Sequence, residues 1–184
     1  MENFYIRQKN ILSEDDIDFL MSESNKMKFE RSGVISYTKS KNQLVDENND
    51  RTSTQVMFSD QDFPDVCNSL INLGLKLDLC DNWQELKCRE PISLLRYEVG
   101  GKFRRHQDII RPMNNRSRYF SASILVYESP DLEGGDLLLY DREMKPHKMD
   151  LEVGESVLFN SFVFHEVTEV KQGCRLALII WISK

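Results

Sequence analysis

Two histidines and one carboxylate in this chain stand where they could share a metal ion. His106 and Asp108 form a His-x-Asp at the end of the stretch Leu95-Arg-Tyr-Glu-Val-Gly-Gly-Lys-Phe-Arg-Arg-His-Gln-Asp108. In an extended backbone, side chains two apart project from the same face. An imidazole nitrogen and a carboxylate oxygen can therefore reach one point. His165, in Phe162-Val-Phe-His-Glu-Val, is a third candidate, and Arg175 follows it on the way to the C-terminus. Two histidines and a carboxylate on one face of a metal leave the opposite positions open, a donor set suited to ferrous iron. A buried arginine nearby suits a dicarboxylate ligand, which its planar fork can bind through two hydrogen bonds.

The elements that must hold these residues can be read from periodicity. Phe4 to Leu12 opens as a strand, and Ser13-Glu-Asp-Asp reads as a helix start, with a serine N-cap and acidic residues in the first turn. Ile17, Phe19, Leu20 and Met27 give that helix a partial apolar face. Arg31 to Asp50 is polar and aperiodic, a long loop or loosely held hairpin, and a lid is the functional alternative to a plain surface loop. Arg51 to Phe58 has strand composition. A second helix follows Asp62-Phe-Pro-Asp, with Val66, Leu70, Leu73 and Leu77 at helical spacing for the core.

Beyond Leu86 the expected structure is β. The candidate strands are Ile92 to Val99, Tyr119 to Glu128, Asp136 to Tyr140, Lys148 to Glu152, Ser156 to Phe159, Val163 to Val170 and Cys174 to Ile182. Turn signals at Pro112-Met-Asn-Asn, Glu133-Gly-Gly-Asp136, Gly154 and Gln172-Gly173 separate them. Helices followed by short strands predict an α+β, mainly β fold: helices packed on one face of a β-sandwich or jelly roll.

His-x-Asp alone is weak evidence, since a surface histidine beside a turn accounts for it. Three features strengthen it. The chain has only 3 histidines, and the two flanking the β-rich region are the two that a metal site needs. Arg175, Ala177, Ile179 and Trp181 alternate with Leu176, Leu178, Ile180 and Ile182, so both faces of that strand read as buried and the arginine needs a partner. Tyr97 shares a strand face with Leu95 and can aim its hydroxyl inward.

Together these residues carry a family resemblance. Tyr97-x-x-Gly100-Gly-x-Phe103-x-x-His106-x-Asp108 resembles the first ligand motif of the prolyl-4-hydroxylase-like branch of Fe(II)/2-oxoglutarate oxygenases. Val126-Tyr127 with Leu132-Glu-Gly-Gly-Asp136 resembles that branch's aromatic strand and acidic Gly-Gly turn. Gly154-Glu-Ser-Val-Leu-Phe159, His165-x-Val-Thr-x-Val170, Gly173-x-Arg175 and Trp181 resemble its closing half. Residues 92 to 182 are covered closely, the N-terminal part only in plan.

The resemblance implies a double-stranded β-helix in which His106, Asp108 and His165 hold Fe(II). Arg175 would pair with the far carboxylate of 2-oxoglutarate, and Tyr97 and Ser123 would hydrogen-bond the same co-substrate. It also implies use of O2, decarboxylation of 2-oxoglutarate to succinate, hydroxylation of an unactivated C–H bond, and ascorbate as an auxiliary reductant. Arginine at 175, where collagen-type enzymes carry lysine, places the likeness nearer oxygen-sensing and bacterial PKHD-type hydroxylases. The sequence ends at Lys184, just after the last strand, where the PKHD type continues into a C-terminal helical extension.

The expectation is thus a cytoplasmic dioxygenase of one domain, residues 1–184, with helical support and lid in 1–90 and the β-helix core in 91–184. Its leading substrate is a prolyl residue of a protein or peptide. The alternatives are hydroxylation of a free amino acid or small metabolite, and a non-catalytic cupin-like metal-binding module. A net charge of −6 argues against a nucleic-acid partner, which wants a basic footprint. No stretch is apolar and long enough to span a membrane, and the N-terminus has no secretory pattern. Cys67, Cys80, Cys88 and Cys174 form no CxxC pair and read as reduced thiols rather than disulfides or zinc ligands. His147 reads as a surface histidine. Arg96 to Arg118 carries seven basic residues against Glu98 and Asp108, a solvated segment or a strip for an acidic substrate.

Overall fold

Ser13 does what its position predicts. In the computed structural model, which describes residues 4–32, 50–77, 86–109 and 118–183 and the backbone of 34–38 and 41–45, its hydroxyl accepts the Asp16 N–H. The Asp16 carboxylate in turn accepts the Ser13 N–H at 2.9 Å, closing a capping box. In chain order the elements begin with β1 (Tyr5–Gln8), α1 (Glu14–Lys26), β2 (Glu30–Arg31), β3 (Val34–Thr38), β4 (Lys41–Val45), β5 (Arg51–Thr52) and β6 (Thr54–Phe58). Next come α2 (Pro64–Lys76), β7 (Lys87–Cys88), β8 (Ile92–Tyr97), β9 (Lys102–His106) and β10 (Arg118–Glu128). The chain closes with β11 (Leu137–Tyr140), β12 (Pro146–Lys148), β13 (Ser156–Asn160), β14 (His165–Val167) and β15 (Arg175–Ser183).

Two antiparallel sheets face one another. The larger runs β1-β13-β10-β15-β8-β6-β2, with β7 added at the end of β15. The smaller runs β12-β11-β14-β9-β5. The outer face of the large sheet is covered by the helices. Val66, Leu70 and Leu73 of α2 and Leu20 of α1 pack with Leu94, Ile124, Leu158, Leu178 and Ile180 in one continuous core. Gly74 lets α2 settle, since a Cβ there would lie 2.9 Å from the Phe120 ring. Leu77 is half-buried against the same core. Phe19 and Met27 remain exposed, and Phe19 contributes through ring contacts with Phe58 and Phe63.

The inner face of the large sheet meets the small sheet in a second core of Leu95, Tyr97, Leu137, Leu139, Val157, Phe159 and Val167. One strand serves both cores: along β15, Leu176, Leu178, Ile180 and Ile182 go to the helix side and Ile179 to the inner one. The helix-side face of this strand is buried as expected, while on the inner face Arg175 and Ala177 are buried and Ile179 and Trp181 only half-buried.

Two expected strands sit differently. Lys148 to Glu152 is not a strand; the ladder runs from Pro146 to Lys148 and ends where Met149 turns its N–H to Leu137 O. Pro146 is tolerated there because β12 is an edge. Val163 to Val170 shortens to His165–Val167, because Val163 N–H closes a turn on Asn160 O and the pairing slips after His165. The polar stretch from Arg31 contains a β3–β4 hairpin, with Val34 opposite Val45. Its residues 33, 39–40 and 46–49 lie outside the described set, and with them the lid reading. Cys67, Cys88 and Cys174 are free thiols, as expected, and Cys80 is not among the described residues.

Candidate metal centre

β9 reaches the site because of its glycine turn. Gly100, at φ +84°, donates to Val170 O, and Gly101 leaves no room for a Cβ, which would come within 2.7 Å of Glu98 O. This turn places β9 beside β14, with His106 opposite His165. The two rings lie 4.1 Å apart between centroids. Asp108 follows just beyond the end of the ladder, its N–H donated to Ser161 O at 3.0 Å. The donor atoms of His106, Asp108 and His165 all fall within 4.8 Å of one another. The expected trio is therefore assembled, and His147 is not part of it: it sits on edge strand β12 with its Nε2 on Asp141.

The tautomers follow from backbone geometry. His106 Nδ1 lies 2.8 Å from Arg104 O and His165 Nδ1 lies 3.0 Å from Val163 O. A carbonyl can only accept, so both Nδ1 atoms carry hydrogen and both Nε2 atoms are left for something else. They face Asp108, at 3.4 Å from Oδ1 and 3.5 Å from Oδ2. Two ring lone pairs and a carboxylate converging in a buried spot demand a cation. In the bare protein a proton meets part of that demand. Burial raises the Asp108 pKa, but the two imidazoles more than reverse this and hold it well below the usual carboxylate range. His165 is pushed down by burial, yet Asp108 carries it above the ordinary imidazole value. His106 is pushed below that value by burial and by His165. The donor chemistry fits a divalent ion with open positions.

A cavity of about 310 Å³ lies beside the trio, between the sheets. Arg175, Tyr97 and Ser123 line it, and all three are buried. Arg175 opens β15 directly across from Tyr97 on β8. Burial lowers its pKa, and Glu128 and Asp136 act on it only through space; among the described residues no carboxylate pairs with it. A buried guanidinium facing a cavity suits an anionic ligand. Burial likewise raises the Tyr97 pKa, against the charges of Arg51 and Arg175.

The sequence reading gave no role at the site to Arg51, Glu90, Phe103, Arg118 or Trp181. Arg51 lines the cavity, its Nε donating to Ser53 Oγ at 3.0 Å and its guanidinium 4.7 Å above the Phe103 ring. Phe103 stacks in turn on His106 at 3.5 Å. Arg118 pairs with Glu90 through Nε at 2.6 Å and through Nη2. Trp181 lies beneath Arg118 and donates its indole N–H to Asp108 Oδ2 at 3.0 Å. The alternation of Gln55 and Met57 with Val56 and Phe58 was a usable signal for a cavity-facing β6; nothing local marked Glu90 or Arg118. The basic segment resolves into partnered charges: Arg96 over Phe29, Lys102 with Glu169, Arg104 with Asp50 and Arg105 over Tyr140. Arg111 and Arg116 are outside the described residues.

Residues 92–183, which hold the whole trio, Arg175 and both sheets' central strands, match the family profile of the 2OG-Fe(II) oxygenase superfamily. The chain belongs to that superfamily. It is an Fe(II)- and 2-oxoglutarate-dependent dioxygenase, and the non-catalytic alternative is set aside. A PKHD-type hydroxylase of Acinetobacter baumannii (strain AYE) is 26% identical over 182 residues, covering 95% of this chain and 75% of its own. A Pseudomonas putida prolyl-4-hydroxylase superposes with a TM-score of 0.66 at 19% identity, covering 98% of this chain and 92% of its own. A Trichoplax adhaerens prolyl hydroxylase, solved with a hypoxia-inducible-factor peptide fragment, gives 0.68 at 19% identity, covering 98% and 83%. The shared fold is the double-stranded β-helix that the oxygenase was expected to have. No helix among the described residues is long and apolar enough to cross a membrane.

Proposed function

We propose that the oxygenase hydroxylates a prolyl residue of a protein or peptide, and that His106 Nε2, Asp108 and His165 Nε2 are its iron ligands. In this reading Arg175 binds the far carboxylate of 2-oxoglutarate, with Tyr97 and Ser123 as further hydrogen-bond donors. Residues 1–184 act as one oxygenase domain, in which the first 90 residues add the helices and also strands β1, β2, β5, β6 and β7 to the sheets of 91–184. Bound iron, with 2-oxoglutarate and O2, supplies the oxidation that replaces a C–H hydrogen by hydroxyl as the co-substrate loses CO2 to become succinate.

The chain's own residues perform the rest. The Nδ1 bonds lock each imidazole with Nε2 inward, so neither ring needs to reorient when a metal arrives. Arg175 fixes one end of the co-substrate, and the apolar walls of Leu95, Phe159 and Ile179 keep water from its length.

The observation that carries the substrate reading is the size and mouth of the cavity. At about 310 Å³ it lies at the small end for ligand pockets, and the co-substrate must share it. One compact residue can enter beside it, while the rest of a longer chain lies outside along exposed Pro91 and Met57. The Pseudomonas putida and Trichoplax adhaerens structural neighbours, both prolyl hydroxylases by name, agree with a prolyl substrate. Measuring succinate release with proline-containing peptides against free amino acids tests this. Peptide-dependent release with a +16 Da prolyl product is expected, and stimulation by free amino acids alone would move the assignment to a small-metabolite hydroxylase.

A further inference from the structure

We infer that Trp181 is a positioning residue for Asp108, occupying Oδ2 so that the carboxylate meets the metal through Oδ1 alone. The inference rests on the iron-ligand reading above. Asp108 is the one member of the trio outside a β-ladder: His106 and His165 are paired with each other across β9 and β14, while Asp108 lies past the end of β9. Each histidine has a backbone carbonyl to orient it. The Asp108 backbone is tied by its N–H to Ser161, but the only neutral donor on its carboxylate among the described residues is the Trp181 indole, at 3.0 Å.

The indole is itself held. Trp181 stands opposite Ser121 in the ladder between β15 and β10, and the Ser121 hydroxyl bonds that of Ser161, whose carbonyl accepts the Asp108 N–H. On its other side the Arg118 guanidinium lies 3.7 Å from the ring centre, kept there by its two bonds to Glu90. Glu90, Arg118, Trp181 and Asp108 thus form one chain of contacts from the cavity mouth to the metal centre. A carboxylate whose second oxygen is engaged by an indole N–H binds a metal through one oxygen, and an open position is then kept for other ligands. Freed of that bond, Asp108 can turn and chelate through both oxygens.

Two measurements test this, both without turnover. In the first, Co(II) is titrated into the wild type and Trp181→Phe, which removes the N–H and keeps a ring beneath Arg118. Orienting groups of this kind are worth about ten- to a hundredfold in metal affinity. The variant should bind Co(II) that much more weakly and show an altered visible spectrum, with its thermal unfolding in the absence of metal little changed. Affinity within about twofold of wild type with an unchanged spectrum overturns the inference. In the second, the indole N–H resonances of 15N-labelled wild type are followed during Zn(II) titration, with Trp83→Phe to assign the two tryptophans. The Trp181 N–H should stay hydrogen-bonded and shift as Zn(II) binds; an unmoved resonance at saturation overturns the inference even if Trp181→Phe does not fold. If wild type binds neither metal, the iron-ligand reading itself fails, an outcome separate from equal binding by both proteins.

Discussion

The two faces of the large sheet differ although the same strands build both. On the helix side, Leu94, Ile124, Leu158, Leu178 and Ile180 are closed off completely and carry no polar group. On the inner side, alternate residues of those strands include Ser93, Tyr97, Ser121, Ser123 and Arg175, each buried and each facing the cavity. A single-residue step along a strand separates the material that keeps the protein folded from the material that binds. Buried polar groups cost stability, and the helix side supplies what the inner side gives up.

The sharpest break in this comparison comes from Asp108→Ala. It removes the only anionic donor of the trio and should abolish both Co(II) binding and succinate formation, with fold retained by circular dichroism. Retained turnover would mean the trio is structural. Next in size is Leu178→Ala on the helix side. Emptying a fully buried leucine site costs about 2–5 kcal/mol, a fall in Tm of roughly 5–15 °C, while the Co(II) affinity of the folded protein should stay as it was. A matching loss of affinity would mean that the two faces are not independent.

Arg175→Ala should do the converse. Losing even one charge-assisted bond of roughly 1.5–3 kcal/mol should weaken 2-oxoglutarate binding about ten- to a hundredfold and leave Co(II) affinity intact. Arg175→Lys, which keeps the charge without the fork, should fall between. Unchanged 2-oxoglutarate binding in Arg175→Ala would send the co-substrate elsewhere.

The smallest effect is with pH. His165 has a raised pKa in the bare protein, so its protonated form adds stability below the ordinary histidine range, and that stability is lost as pH rises through the raised value. A metal must displace this proton. Affinity for Co(II) should therefore climb by up to about tenfold per pH unit between about pH 6 and the raised value, then level off. A flat profile would show that no proton leaves.

Part of this arrangement was legible in the chain. His106, Asp108, His165 and Arg175 could be named because histidines are scarce here and two-residue spacing means something in extended backbone. The helix side could be read from the 3.6-residue recurrence of Val66, Leu70 and Leu73 and from the apolar β15. Arg51, Glu90 and Arg118 could not, because pairings far apart in sequence bring them to the cavity: Arg51 on β5 beside β9, Glu90 just before β8, and Arg118 at the start of β10, with β15 between β8 and β10. β9, which lies between β14 and β5, was missed as a strand because Lys102, Arg104 and Arg105 look like a polar loop; Arg104 and Arg105 are exposed on it. Trp181 was seen as part of a motif, but its bond to Asp108 depends on the distance between two layers, which no spacing reveals.

β15 has a consequence for the order in which the protein is made. It is the central partner of both β10 and β8, and β8 and β10 have no direct pairing with each other. While a ribosome is still producing residues before Arg175, the large sheet exists as two halves with bare edges, and such edges invite pairing with other chains. The same strand that joins the halves delivers Arg175 and Trp181. A nascent or truncated chain that could still misassemble therefore lacks the groups for holding a co-substrate, so capacity to bind arrives together with closure of the fold.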